Sequence, residues 1–168
     1  LGDVYKRQDE CLALAPILND LPLRQITMHP RLGKQGYKGE VDLQGFSAFR
    51  EVCRLPLVYN GDIDSPDKFM DLSERYPDVN SFMIGRGMFM HPSLAAQIKG
   101  VTMEEAEYRQ RLRGWHDEIL NGYLAIFSGE KDAIFRMKEI WSYLRLDFEN
   151  SDKLWKKIKK AQNLTDYK

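Results

Sequence analysis

The chain has 168 residues, with 25 Lys plus Arg balanced by 25 Asp plus Glu, and 43% of its residues are hydrophobic. That length allows one ordinary domain or pieces of two, and the neutral total excludes a strongly basic nucleic-acid module while leaving room for a local patch. No apolar stretch approaches the roughly 20 residues of a membrane span, no secretory leader pattern is present, and Cys11 and Cys53 are far apart without metal-type spacing. The expectation is a soluble, cytoplasmic protein with two buried, reduced thiols, no metal and no membrane partner.

Residues 1–8 (Leu1-Gly-Asp-Val-Tyr-Lys-Arg-Gln8) resemble a translated sequencing adapter. They are set aside as a scar, so that the natural sequence starts near Asp9 as the C-terminal part of a longer protein. Asp9 to Leu21 then predicts a helix with Leu14, Ile17, Leu18 and Leu21 on its apolar face. Arg24 to His29 predicts a strand, followed by a Gly- and Lys-rich loop from Pro30 to Gly39. Phe46 to Cys53 predicts a helix, Leu57 to Asn60 a strand, and Ser65-Pro66 an N-cap and first-turn proline opening the next helix. Phe82 to Ile84 is the third strand, and Pro92 opens a short helix through Ile98.

From Val101 the texture turns wholly helical. Thr102-Met-Glu-Glu105 is a capping-box pattern starting a long helix to about Phe127. Gly129 interrupts the chain, Ile134, Met137, Trp141 and Leu144 form an apolar stripe, and a last helix starts near Ser151. Helix–strand alternation is the signature of βα units around a parallel sheet. The expected architecture is therefore α/β, the C-terminal portion of a (β/α)8 barrel over residues 9–100, with a small all-α domain over 101–168.

Each of the three strands ends in polar residues: His29-Pro-Arg31, Asn60-Gly61-Asp62 and Gly85-Arg86-Gly87. In parallel sheets ligands sit at the C-terminal strand ends. Glycines admit backbone N–H groups to an anion, and arginine adds a charge-assisted contact to phosphate. Taken singly, Gly-Arg-Gly reads as a surface turn and Asn-Gly as a simple turn; the case for a site rests on two adjacent loops converging. At the third strand end, His29 offers an imidazole N–H to the acceptors of a flavin-type ring, whereas His91 and His116 receive no role.

His29-Pro-Arg31, Gln35-x-Tyr37-Lys-Gly39, Pro56-Leu-Val-Tyr-Asn-Gly-Asp-Ile63 and Met83-Ile-Gly-Arg-Gly87 together resemble the tRNA-dihydrouridine synthases, over the chain from about Asp9 onward. The resemblance implies a barrel that binds FMN, reduced by NADPH, followed by a helical domain that binds tRNA, in a monomeric enzyme that reduces uridine in tRNA to dihydrouridine. It places His29, Asn60, Gly61, Asp62, Gly85 and Arg86 at FMN, with Gly85 and Arg86 on its phosphate.

The chain also departs from that family. Pro30 stands where the family usually has glycine, and Leu43 where a tryptophan is frequent. The family's catalytic cysteine, in an Asn-x-x-Cys-Pro setting, and its flavin-contacting lysine belong to earlier strands and have no counterpart here. No catalytic residue is therefore assigned, and the chain alone is expected to be inactive. Arg31 is assigned to RNA from a mobile loop. Arg136, Lys138, Arg145 and the five lysines from Lys153 to Lys160 are candidate tRNA-phosphate contacts. The rival readings are another FMN barrel oxidoreductase acting on a small molecule, and a non-catalytic RNA-binding remnant.

Overall fold

The computed structural model describes residues 8–31 and 39–167. All of the expected scar but Gln8 lies outside the described residues, as does most of the Gly- and Lys-rich loop. The chain divides into two compact units, residues 1–63 with 67–85, and residues 64–66 with 86–168.

In the first unit, strands β1 (Ile26–Met28), β2 (Leu57–Asn60) and β3 (Ser81–Met83) form one parallel sheet in the order β1-β2-β3. Ile26 pairs with Leu57 and Val58 with Ser81. β1 is shorter than the predicted run from Arg24 to His29: its ladder with β2 runs from Ile26 opposite Leu57 to Met28 opposite Tyr59. β3 sits one residue earlier than predicted. Val58 and Tyr59 are both buried, although successive residues point to opposite faces, so the middle strand is covered on both sides.

Helices α1 (Gln8–Asn19), α2 (Leu43–Val52) and α3 (Pro66–Arg75) complete this unit. The Asp42 carboxylate caps α2 by accepting from Gly45 N–H at 2.8 Å, and Pro66 opens α3 as predicted. Phe46 lies edge-on to Tyr59 (centroids 5.0 Å) and to Tyr76 (4.9 Å), and all three rings are buried.

α1 buries only part of the predicted face: Leu18 packs against the core, but Ile17 and Leu21 do not. Ile17 and Leu21 are 59% and 46% exposed, and Cys11 and Ala15 pack on Phe49 in their place. Burial pushes the Cys11 thiol up from its ordinary range. Cys53 is only partly buried, contrary to expectation.

The second unit contains α4 (Arg86–Met90), α5 (Leu94–Ile98), α6 (Glu105–Ile126), α7 (Glu130–Leu144), a 3-10 turn (Arg145–Asp147), α8 (Ser151–Lys160) and α9 (Leu164–Tyr167). α4 and α9, each of five residues or fewer, were not predicted. Gly100, at φ 71°, ends α5: its N–H reaches Gln97 O at 2.9 Å, and Val101 N–H reaches Ala96 O at 2.9 Å. That is the paired closure for which a left-handed glycine is favoured.

The capping box does not form. α6 begins at Glu105 behind an extended Glu104 that makes no side-chain cap. Glu105 and Glu107 lie in its first turn, where the helix dipole favours them. The predicted α7 stripe holds for Ile134, Met137 and Leu144, which are buried with Ile140. Among the described residues, no helix is long and apolar enough to cross a membrane.

Met137 is fully buried while Phe135, two residues away, is 68% exposed. In urea titrations Met137→Ala should cost about 2–5 kcal/mol, and Phe135→Ala should stay within about 0.5 kcal/mol. Equal losses would contradict this orientation of α7.

Candidate functional site at the strand ends

Two hydrogen bonds gather the three strand ends. His29 Nδ1 lies 2.7 Å from the Asn60 carbonyl oxygen, and Asn60 Nδ2 donates to Met83 O at 3.0 Å. The ends of β1, β2 and β3 are thus tied in a row. A carbonyl only accepts, so Nδ1 carries a proton and donates it to Asn60. Neutral His29 then keeps only Nε2, a lone pair, for a ligand. The N–H expected to meet a flavin acceptor is already engaged, and His29 donates outward only when protonated.

Arg31 is the residue that sequence reasoning placed wrongly. It is 6% exposed, its Nη2 donates to Gly39 O at 2.9 Å, and the same group forms an ion pair with the Asp62 carboxylate. A buried guanidinium engaged in this way is not a mobile RNA contact. The signal in the sequence was the carboxylate two residues past Asn60, matching the arginine two residues past His29. Arg31 Nε and Nη1 and the Tyr59 hydroxyl are buried with no hydrogen-bond partner among the described residues. Burial first, then the nearby Tyr76 and the Asp62 charge, push the Tyr59 phenol well above its usual range, so it stays neutral.

Gly61 is buried, and a carbon branch there would lie 3.0 Å from the Tyr59 hydroxyl and 3.1 Å from Val41 Cγ1. Asp62 follows at φ 44°, in the left-handed region unusual for a non-glycine residue. The turn after β2 is therefore fixed from several sides. Gly85 is exposed, and a branch on it would meet nothing within 4 Å. Arg86, the next residue, belongs to the second unit, where it opens α4.

Within the second unit, the two histidines left without a role tie the helices together. His91 Nδ1 lies 3.0 Å from the Asp147 carboxylate, which also accepts from the Tyr108 hydroxyl. Trp141 Nε1 donates to the Tyr167 hydroxyl at 2.7 Å, and that hydroxyl lies 2.8 Å from His116 Nε2. A cavity of about 890 Å3 borders Tyr108, Asp147 and Phe148, but its Glu105 already pairs with Arg109 and its Asp147 with His91 and Tyr108. Among the described residues, no group of three or more His, Cys, Asp or Glu could hold a metal ion.

Three of the cations offered to tRNA phosphate are also engaged. Lys138 Nζ donates to Ala161 O at 2.6 Å, Arg136 pairs with Glu139 at 3.3 Å, and Arg145 pairs with Asp152 at 3.5 Å beside the Trp155 ring. Lys153, Lys156, Lys157, Lys159 and Lys160 on α8 are exposed.

A parallel sheet whose polar strand ends share one edge and are joined by hydrogen bonds defines an α/β protein. The family model described as dihydrouridine synthase matches residues 2–167. The chain is 31% identical over 143 residues to tRNA-dihydrouridine synthase B of Vibrio vulnificus, covering 80% of this chain and 43% of that protein. It is 30% identical over 139 residues to tRNA-dihydrouridine synthase B of Shewanella oneidensis, covering 78% and 42%. It is also 25% identical over 151 residues to tRNA-dihydrouridine(16) synthase of Escherichia coli, covering 84% and 44%. The chain belongs to the dihydrouridine synthase family. It spans less than half the length of these relatives.

Gly61→Ala should destabilise the first unit by about 1–3 kcal/mol through crowding against Tyr59 and Val41. Tyr59→Phe removes a buried hydroxyl without a partner among the described residues, and should be neutral or slightly stabilising. Combining the two should recover part of the Gly61→Ala loss, as read by thermal unfolding. Simple additivity would contradict this packing.

Proposed function

We propose that this chain forms the later strands of a (β/α)8 barrel and the appended helical domain of a tRNA-dihydrouridine synthase, an enzyme that reduces uridine in tRNA with FMN and NADPH. The observation that carries the reading is the row of tied strand ends, His29 to Asn60 to Met83, in a chain of this family. The residues present fit a flavin nucleotide. The backbone at Gly85 has space for close approach by a ligand, and Arg86 beside it brings the charge and fork geometry suited to phosphate.

In this reading His29, Asn60, Gly61, Asp62, Gly85 and Arg86 hold FMN, with Gly85 and Arg86 at its phosphate. When bound, the flavin supplies the hydride-transfer chemistry and NADPH the reducing equivalents. His29 orients a ligand group through Nε2, while Asn60 fixes the spacing between neighbouring strand ends. Gly61 gives the turn after β2 room to lie flat against Tyr59. In this reading the proton donor is a cysteine whose context matches neither Cys11 nor Cys53, and the chain alone is expected to be inactive.

The helical unit meets tRNA, the substrate, chiefly through phosphate contacts from the lysines of α8. Lysines act as point charges with little base information. The enzyme works in the cytoplasm as a monomer.

In the full-length protein, Arg86→Ala should weaken FMN binding about ten- to a hundredfold, matching the roughly 1.5–3 kcal/mol of hydrogen bonds to charged groups. Lys156→Ala should leave flavin affinity unchanged. Flavin fluorescence titration checks both. An Arg86→Ala protein with wild-type affinity would remove the phosphate assignment.

A further inference from the structure

We propose that Arg31 is a positioning residue of the strand-end site, acting through Asp62 as half of a two-point clasp between the exits of β1 and β2. This rests on the flavin reading above for what the clasp serves, and on the geometry alone for the clasp itself.

His29 and Arg31 leave β1 two residues apart, and Asn60 and Asp62 leave β2 two residues apart. His29 bonds Asn60, and Arg31 bonds Asp62. The spacing on the first side is set by Pro30: Arg31 N–H donates to His29 O at 2.8 Å, closing a three-residue turn around a buried proline. Proline's fixed φ suits such a turn. The spacing on the second side is set by Gly61, which has no room for a side chain, and by the left-handed Asp62. Both rungs therefore join preformed turns.

The cost of Arg31 argues the same way. Its side chain is 2% exposed, and two of its three nitrogens are buried without partners among the described residues. Stability alone favours an apolar residue over a buried ion pair with incomplete hydrogen bonding. What the guanidinium adds is fixation. It pins Asp62 and the Gly39 carbonyl at once, which holds the Asn60 carbonyl where His29 Nδ1–H can reach it. Losing the pair frees the turn, and His29 is released to the tautomer mixture of a free imidazole. A ligand at the strand ends then meets an imidazole with no fixed acceptor.

The test uses the full-length protein with Arg31→Met, Asp62→Asn, the double variant and Arg31→Lys, each checked for native circular dichroism. The first measurement is the 15N spectrum of the His29 imidazole without ligand. Wild type should give the Nδ1-protonated signature, and Arg31→Met should lose it, with Arg31→Lys restoring it in part. If Arg31→Met does not fold, Arg31→Lys carries the test: the wild-type signature retained in full overturns the clasp.

The second measurement is FMN affinity. Arg31→Met should weaken it about tenfold in the wild-type background and add little to Asp62→Asn, because the two residues act as one unit. An equal loss in both backgrounds means that Arg31 acts on the ligand directly, and overturns the proposal. Failure of the wild-type protein to bind FMN would remove the flavin reading. The His29 spectrum would still decide the clasp, and an unchanged signature in Arg31→Met would overturn it.

Discussion

Parallel pairing sends Ile26–Met28, Leu57–Asn60 and Ser81–Met83 in the same direction, so the residues that follow each strand emerge on one edge of the sheet. Everything at the site depends on that constraint. Neighbouring strands lie about 4.8 Å apart, a spacing that one imidazole and one carboxamide can bridge. His29 and Asn60 do so in sequence, each spending a donor on the backbone carbonyl of the next strand end. The aromatic cluster of Phe46, Tyr59 and Tyr76 packs against β2 and keeps the middle strand fixed while its neighbours are tied to it.

These donors fix the chemistry left for a ligand. With Nδ1–H engaged, His29 is an acceptor in its neutral form and a donor in its charged form. The Asp62 carboxylate is paired with a buried arginine, so it is not an uncompensated negative charge facing an anionic ligand. The second unit is built differently. Buried aliphatic residues along α7 make its core, while Asp147 takes up His91 and Tyr108, and the Tyr167 hydroxyl accepts from Trp141 and lies beside His116 Nε2. α8 presents five exposed lysines.

Much of this was legible in the sequence because periodicity and turn chemistry are local signals. The three strands fall within two residues of their predicted positions, and Pro66 and Ser151 begin helices as expected. The misreadings have physical causes. The capping-box pattern at Thr102 does not cap: α6 begins at Glu105 behind an extended Glu104. At α1, apolar spacing favoured Leu14, Ile17, Leu18 and Leu21, yet Cys11 and Ala15 are the residues buried against Phe49, with Leu18 packed beside them and Ile17 and Leu21 exposed. Arg31 was misplaced because its partner lies 31 residues away, and a lysine-rich neighbourhood suggests solvent. A buried ion pair between two loops leaves no local pattern. The grouping of His29, Asn60 and Asp62 was readable because strand ends in a parallel sheet must converge.

In the proposed reading the tied strand ends of this chain hold a flavin nucleotide. The most direct measurement is FMN titration into the isotope-labelled full-length protein, followed by amide shifts residue by residue. Flavin binding there should give saturable shifts centred on His29, Asn60, Gly61, Asp62, Gly85 and Arg86, with α7 and α8 unmoved. Saturable shifts confined to the helical unit, or none at the strand ends, would contradict it.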